Sequence, residues 1–356
     1  MWGRRLRHVA PAATAALDGG ARRGLHASRA SCSRVAVIAR LRKETQCSMA
    51  KVRQAVEAAA GDYDAARRWL DADLVTSGRA KSAKLGDRAA NEGCIAVLRH
   101  PSGALGLVAE VNCETDFVAK SDVFQHLVRQ IGTSVLLSDA VEAASAAAAD
   151  AADATTASTT VRARELDVEA LKTLPTLMPP GEPPLLEYKP LSDSLAEAVG
   201  KLGENVVWRR AAVLGVPVST QRRATGVNND ARVSTGLHAH GGDAGSGRVA
   251  GIVVLQETPP QAPPSAELDQ AKQQLADRIA AQVVGMAPVA IGETDAPDGA
   301  APDDLLLNQA YLFGDGSVSD QLLALGSRRQ STLTVSGMLR WELGGSDSTG
   351  PSSAAS

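Results

Sequence analysis

The chain has 356 residues, enough for two or three small domains, and its 44% apolar and 22% charged residues are typical of a globular protein. Aromatic residues make up only 3%, which argues against base-stacking surfaces and bulky cofactor pockets and predicts cores built from Ala, Val and Leu. No window approaches the roughly 18 uninterrupted apolar residues of a transmembrane helix, so no membrane association is expected.

The first 34 residues differ in composition from the rest, with seven arginines against one acid, Asp18. An arginine-rich, acid-poor leader is typical of an organelle transit peptide, so residues 1–34 are predicted to be removed on import. A disordered basic tail is the alternative. Loss of this net +6 changes the formal charge from −3 to −9. So acidic a protein is a poor general nucleic-acid binder, and no specific nucleic-acid partner is predicted.

Residues 35–76 show the periodicity of three short amphipathic helices. The first begins at Val35, the second has Ser48 as its expected N-cap, and the third follows Gly61. Their apolar faces are predicted to contain Val35, Ile38, Leu41, Val52, Val56, Ala66, Trp69, Leu70 and Leu74. Residues 77–90 follow as a basic linker, interpreted as a solvated hinge with an RNA contact as the alternative.

From Glu92 the period changes to that of strands, which predicts a β-hairpin around Pro101–Gly103 and then a helix from about Phe117 to Leu137. A second hairpin and helix are predicted over 236–256 and 268–284. This loose duplication indicates two subdomains, so the predicted fold class is α+β with small antiparallel sheets.

The predicted domain limits follow from these changes of pattern. The first α+β subdomain covers 91–214 and contains a low-complexity, Pro-rich insertion at 143–190. The second covers 215–343, and 344–356 is predicted to be a disordered tail.

Motifs for catalysis do not emerge from the sequence. There is no GxxxxGK[ST] phosphate loop, and the glycine-rich run His240–Gly247 is interpreted as a flexible hairpin loop. His238 and His240 alternate along a predicted strand and therefore share one face, without further ligands to complete a metal shell. The sequence predicts no catalytic residue, no metal, no cofactor and no nucleotide bound by the chain itself.

The most informative segment is Asn112–Lys120, where a predicted strand turns into a helix. Thr115 is placed to cap the helix, and Asp116 lies in the positive field of its N-terminus. On the residues alone, Phe117 could simply begin the core face of that helix. We refer to Thr115–Val118 as the TDFV turn.

A resemblance to a known family rests on four segments, which are TDFVAK (Thr115–Lys120) with Phe124-Gln125, the helical stretch Val37–Leu70, Gly200–Asn205 with Arg209-Arg210, and Val283–Pro288. In content and order they resemble the elongation factor Ts family, the last segment its mitochondrial branch, and Val37–Leu70 resembles that family's ubiquitin-associated-like domain. Ala50 and Gln282 stand where the family often has a methionine and a histidine.

The resemblance implies a non-enzymatic guanine-nucleotide exchange factor whose partner is elongation factor Tu, located in the mitochondrial matrix. It implies that Phe117 enters the partner's GTPase domain as a wedge while Asp116 disturbs the magnesium and phosphate contacts. Thr115 and Val118 complete that loop, and Arg42 and Met49 are expected to touch the same GTPase domain. The candidate partner-binding residues also include His238 and His240.

Three other functions stay open at this point. The helical module favours a ubiquitin-type adaptor, the basic linker favours a ribosome-associated or RNA-binding protein, and an enzyme of unknown class has no motif in its support. Import into an organelle would separate the chain from ubiquitin, and a net charge of −9 argues against RNA.

Overall fold

The structure, a computed structural model, describes residues 25–139, 141, 161, 163–183, 185, 188–216, 233–243, 245–258 and 265–345, with side chains from Arg34 onward. Residues 1–24 of the predicted leader, the low-complexity tract 143–160 and the tail from 346 lie outside the described residues. The chain divides into two compact units between Leu70 and Asp71, and each is described by itself. Among the helices in the described ranges, none combines the length and apolar character needed to cross a bilayer.

The first unit contains helices α1 (Leu25–Thr45), α2 (Met49–Ala58) and the beginning of α3 (Tyr63–Leu85). Ser48 caps α2 as predicted, accepting a hydrogen bond from the Lys51 N–H at 3.4 Å. The buried apolar side chains are Leu41, Val52, Ala55, Val56, Ala66 and Leu70.

Two expectations for α1 are wrong. The helix begins at Leu25, ten residues before Val35, and the Val35 side chain is 63% exposed. Ala, Arg and Ser are compatible with helix, so the helix continues toward the N-terminus beyond the first apolar residue of the stripe.

The second unit contains two antiparallel sheets, so the predicted α+β class is confirmed. Sheet 1 has five strands in the order β3-β4-β2-β1-β6, and sheet 2 has three in the order β5-β7-β8. The strands are β1 (Glu92–Arg99), β2 (Leu105–Cys113), β3 (Arg164–Leu166), β4 (Val206–Gly215), β5 (Val233–His240), β6 (Ser246–Gly247), β7 (Val249–Thr258) and β8 (Thr332–Glu342).

The two sheets pack face to face over a shared apolar core. Alternate residues of each strand point to opposite faces, so Ile95 and Val108 face the other sheet while Cys94 and Leu107 face the outer helices. The core between the sheets contains Ile95, Val97, Val108, Ala212, Leu214, Ala250, Ile252, Val254, Leu339 and Trp341. The two predicted subdomains therefore share the apolar layer between the sheets.

Helices cover the outer face of each sheet. The remaining helices are α4 (Asp116–Ala119), α5 (Asp122–Leu136), α6 (Val168–Leu171), α7 (Leu191–Leu202), α8 (Ala266–Met286) and α9 (Val318–Arg329). Phe124 and Ile131 of α5 and Leu191 of α7 pack on sheet 1, whereas Ile279 of α8 and Leu322 of α9 pack on sheet 2.

The expected linker at 77–90 is mostly helical, because α3 continues to Leu85. Here α3 crosses α7 in close contact: a Cβ added at Gly78 would lie 1.8 Å from the carbonyl oxygen of Ala196. A Cβ at Gly200 would likewise lie 2.7 Å from the carbonyl oxygen of Leu74. Only glycine allows this approach, so the glycine in the Gly200–Asn205 motif has a packing role.

Two segments expected to be irregular carry regular structure. The described part of the 143–190 insertion supplies β3, which pairs with β4, and helix α6. The glycine-rich run after His240 includes β6, which pairs with Ile95 and Ala96 of β1. These pairings leave fewer backbone groups without partners than a free loop would.

Buried Glu110 holds the end of the last strand, including two residues expected in the tail. A bulge in β4 directs both Arg209 and Arg210 to the Glu110 carboxylate, at 3.4 and 2.7 Å. Glu110 also accepts from the Gly344 N–H at 2.9 Å, and Arg209 donates to the Gly345 carbonyl. The two arginines of the sequence motif therefore form ion pairs with Glu110 inside the protein.

Gln282, at a position where the resemblance led us to expect a histidine, is fully buried in α8. Its amide nitrogen donates to the Ala310 carbonyl at 3.0 Å, and its oxygen accepts from the Leu312 N–H at 2.9 Å. A glutamine can therefore attach the 309–312 loop to α8 with both ends of its amide.

Candidate partner-binding site

The TDFV turn joins the end of β2 at Cys113 to the single-turn helix α4. Thr115 has extended backbone angles (φ −127°, ψ 152°), and its hydroxyl accepts from the Val118 N–H at 3.3 Å, as an N-cap does. Ser121 then caps α5 in the same way, accepting from the Phe124 N–H. The single helix expected from Phe117 to Leu137 is therefore two helices, because a second cap interrupts it.

This interruption decides the environment of Phe117. Phe124 is fully buried in the core under sheet 1, whereas the Phe117 side chain is 82% exposed. Val118 is partly buried against that core and Ala119 is buried, so they anchor the turn beneath the exposed ring. The interpretation of Phe117 as a core residue is wrong: the protein presents this large apolar side chain to solvent, where another molecule can contact it.

Two glutamates fix the TDFV turn to the end of α7. The Glu204 carboxylate accepts from the Thr115 N–H at 3.1 Å and from the Thr115 hydroxyl at 2.8 Å. In the opposite direction, the Glu114 carboxylate accepts from the Asn205 N–H at 2.7 Å. We call Glu114, Thr115, Glu204 and Asn205 the loop clasp.

A third segment joins the loop clasp from the C-terminal side of α3. The Asn205 side-chain amide donates to the Arg88 carbonyl at 2.9 Å, and the Arg88 guanidinium lies 3.4 Å from Glu114. Cys113, buried beside the loop clasp, has its pKa raised to about 12 by burial and by the charge of Glu204. Its thiol is therefore neutral and donates to the Thr115 carbonyl oxygen at 3.2 Å.

Asp116 and Lys120 form an exposed ion pair on α4. The Lys120 ammonium donates to the Asp116 carboxylate at 3.0 Å, and this hydrogen bond lowers the pKa of Asp116. The N–H of Phe117 at the helix N-terminus acts in the same direction. Asp116 is therefore ionised at neutral pH, directly beside the exposed ring.

The other candidate residues form two pairs. Arg42 and Met49 line one shallow depression at the corner between α1 and α2, together with Gln46 and Ser48. His238 is half-buried on β5 and His240 is exposed at its end. Burial, and next the charge of His240, lower the pKa of His238, so it is neutral at physiological pH.

Comparison with known proteins agrees with this geometry. The family model for Elongation factor TS matches residues 114–304, more than half of the chain, beginning at the first residue of the loop clasp. The chain belongs to the elongation factor Ts family. It is similar to a protein named mitochondrial elongation factor Ts from Bos taurus, at 30% identity over 88% of this chain and 81% of the relative. It is also 30% identical to the proteins of that name from Cryptococcus neoformans (87% and 86% covered) and Mus musculus (86% and 83%).

The sequence alone did not predict which residues hold the TDFV turn in place. Glu204 and Asn205 belong to the Gly200–Asn205 motif, yet Glu204 contacts Thr115 across 89 residues of sequence and Asn205 contacts Glu114 across 91. Gln125, the second residue of the Phe-Gln pair, donates to the Ala119 carbonyl at 2.7 Å and accepts from the Ser246 hydroxyl. The resemblance identified both motifs, Gly200–Asn205 and Phe124-Gln125. Their structural roles follow only from the tertiary contacts.

The exposure of Phe117 predicts that its removal leaves the fold intact. Phe117→Ala should change the free energy of unfolding by less than about 0.5 kcal/mol, because no packed contacts are lost. Phe124→Ala is the matched control in the same segment and should lose about 3–5 kcal/mol through the cavity it creates. Urea unfolding followed by circular dichroism measures both. A loss above about 2 kcal/mol for Phe117→Ala would show that the ring is packed in solution.

Proposed function

We propose that this chain is a guanine-nucleotide exchange factor for mitochondrial elongation factor Tu, promoting GDP release so that GTP can bind during mitochondrial protein synthesis. It binds no nucleotide of its own and makes no covalent bond. Family membership and the names of the relatives support the activity and the mitochondrial setting. The arginine-rich leader supports location in the matrix. The exposed phenylalanine on a firmly attached turn is the observation that carries the proposal.

In this proposal the Phe117 ring inserts between two helices of the partner's GTPase domain. A ring that is 82% exposed in the free protein gains apolar contacts when the partner buries it. Since α4 is attached at Thr115 and anchored by Val118 and Ala119, the ring enters without first having to be ordered. Pre-organisation of this kind lowers the entropic cost of binding.

The energetics require more than one residue. A ten-thousandfold faster release corresponds to about 5.5 kcal/mol of barrier reduction, whereas burying one phenylalanine contributes about 1.5–3 kcal/mol. Other surfaces must therefore hold the partner while the TDFV turn perturbs it. Arg42 and Met49 on the helical unit, and His238 and His240 on β5, are the proposed additional contacts.

Asp116 supplies the electrostatic part of the mechanism. Its carboxylate is ionised and exposed beside Phe117, so it accompanies the ring toward the nucleotide site. A negative charge there attracts the magnesium ion away from the phosphates that hold it. Loss of magnesium coordination weakens the hold on GDP.

The RNA-binding alternative has less support from the structure. Three of the four basic side chains of residues 77–90 contact other parts of the protein: Arg79 pairs with Asp193, Lys81 donates to the Gly200 carbonyl, and Arg88 pairs with Glu114. Charges used in internal pairs are less available to phosphates.

Replacing the wedge tests the proposed function directly. Phe117→Ala should slow catalysed release of labelled GDP from mitochondrial elongation factor Tu by about 10- to 150-fold, the range expected from the apolar contacts of one ring. Tyr188→Ala, which removes an exposed aromatic ring elsewhere, is the matched control and should act like the unmodified protein. Wild-type exchange by folded Phe117→Ala would reject the wedge.

The role of Asp116 predicts a dependence on magnesium. Asp116→Asn keeps the shape of the side chain and removes its charge, so it should slow release roughly tenfold in excess magnesium, as expected for unit charges about 10 Å apart in partly screened surroundings. With magnesium chelated by EDTA, this difference should disappear, whereas that of Phe117→Ala should persist. If the Asp116→Asn defect were the same with and without magnesium, the carboxylate would not act on the ion.

A further inference from the structure

We propose that Glu204 is a positioning residue for exchange: it holds the TDFV turn in the one orientation that presents Phe117 to the partner. This inference rests on the proposed function and adds a residue to it from outside the loop. Glu204 follows the C-terminus of α7 and does not itself form part of the exposed surface of α4.

Thr115 in the turn donates both hydrogen bonds, and the Glu204 carboxylate accepts both. Both carboxylate oxygens accept from Thr115, one from its N–H at 3.1 Å and one from its hydroxyl at 2.8 Å. Because its proton points to Glu204, the Thr115 hydroxyl directs a lone pair at the Val118 N–H, 3.3 Å away. Glu204 thus sets both the backbone and the rotamer of the residue that caps α4.

The turn needs such a constraint because α4 has almost no stability of its own. It contains four residues, from Asp116 to Ala119, and a helix this short does not persist in water without outside contacts. Phe117 contributes little, since its ring is exposed. The orientation of Phe117 therefore depends on the cap and on the buried contacts of Val118 and Ala119.

Glu204 is itself held in place from two sides. Gly203 ends α7 in the left-handed region (φ 76°), which turns the chain so that Glu204 faces Thr115. The next residue, Asn205, is bound by Glu114 at 2.7 Å and reaches the Arg88 carbonyl at 2.9 Å. The carboxylate of Glu204 is thus fixed by the loop clasp before any partner arrives.

The expected consequence is on the rate of release at saturation, with a smaller effect on binding. A misplacement of about 1 Å can cost roughly 100-fold in a reaction that depends on orientation. Glu204→Ala should therefore lower the maximal rate of GDP release roughly 10- to 100-fold. The concentration of exchange factor giving half-maximal rate should change less, because the other contact surfaces are unaltered.

The conservative variant separates positioning from charge. In Glu204→Gln, the amide oxygen accepts from the Thr115 N–H and the amide nitrogen donates to its hydroxyl, which still accepts from Val118. Glu204→Gln should recover most of the rate that Glu204→Ala loses. If Glu204→Gln released GDP as slowly as Glu204→Ala, the positioning role would be contradicted.

A double-mutant cycle with the full chain, mitochondrial elongation factor Tu and labelled GDP gives the decisive test. If Glu204 acts through Phe117, then with magnesium chelated by EDTA, which removes the contribution of Asp116, the double variant Glu204→Ala/Phe117→Ala should be no more than about twofold slower than Phe117→Ala alone. A merely structural role would make the two losses multiply, and that result would overturn the inference. The inference would also be overturned if Phe117→Ala slowed GDP release while Glu204→Ala folded and released GDP at the normal rate. A normal rate for Phe117→Ala would instead reject the wedge role of Phe117, and no catalysed release by the unmodified chain would reject the proposed function itself.

If Glu204→Ala fails to fold, Thr115→Val takes its place in the cycle. Valine matches the shape of threonine but lacks the hydroxyl. The variant therefore keeps the hydrogen bond from the N–H of residue 115 to Glu204 and loses the hydroxyl's hydrogen bonds with Glu204 and the Val118 N–H. Thr115→Val should slow release, with no further loss when combined with Phe117→Ala. Multiplying losses, or a normal rate for Thr115→Val, would overturn the inference.

Discussion

The Thr115 hydroxyl is the contact on which the exposed site depends. It donates to Glu204 and accepts from the Val118 N–H, and so joins the end of α7 to a helix of only four residues. A phenylalanine in solvent gains nothing from folding, so its orientation has to come from the residues beneath it. The TDFV turn is therefore best understood as the tip of a rigid assembly that begins at the glycine crossing of α3 and α7.

The double-sheet core explains why this assembly is rigid. Sheets 1 and 2 bury a common apolar layer, and outer helices cover the far face of each, so β2 and β4 are fixed on both sides. The segments of the loop clasp follow β2 and precede β4, neighbouring strands that pair along their length. Cys113 and Val206 are partners in that register, which brings Glu114 and Asn205 together. The register of β2 and β4 therefore fixes the position of the exposed turn.

Local pattern predicted much of the fold and only part of the site. The alternation of residue types in β1, β2, β5 and β7 and the apolar stripe of α5 were sufficient to predict these elements, because burial on one face imposes a periodic pattern of apolar residues. The continuation of α3 through residues 77–85 was missed, since its packing depends on Gly78 and Gly200 rather than on an apolar stripe. The break before α5 was missed because Ser121 competes as a cap. The loop clasp joins residues about 90 positions apart, and no local pattern contains that information. The domain limits and the cleavage of the leader stay predictions.

The proposed exchange activity requires that this chain stabilises elongation factor Tu in its nucleotide-free form. Binding linkage then demands a reciprocal effect: if the chain weakens GDP binding by some factor, GDP must weaken binding of the chain by the same factor. Titration calorimetry of the chain against nucleotide-free and GDP-bound mitochondrial elongation factor Tu measures that ratio. The account predicts tighter binding to the nucleotide-free partner, by the factor by which the chain lowers the affinity for GDP. Equal affinity for the two forms would contradict it.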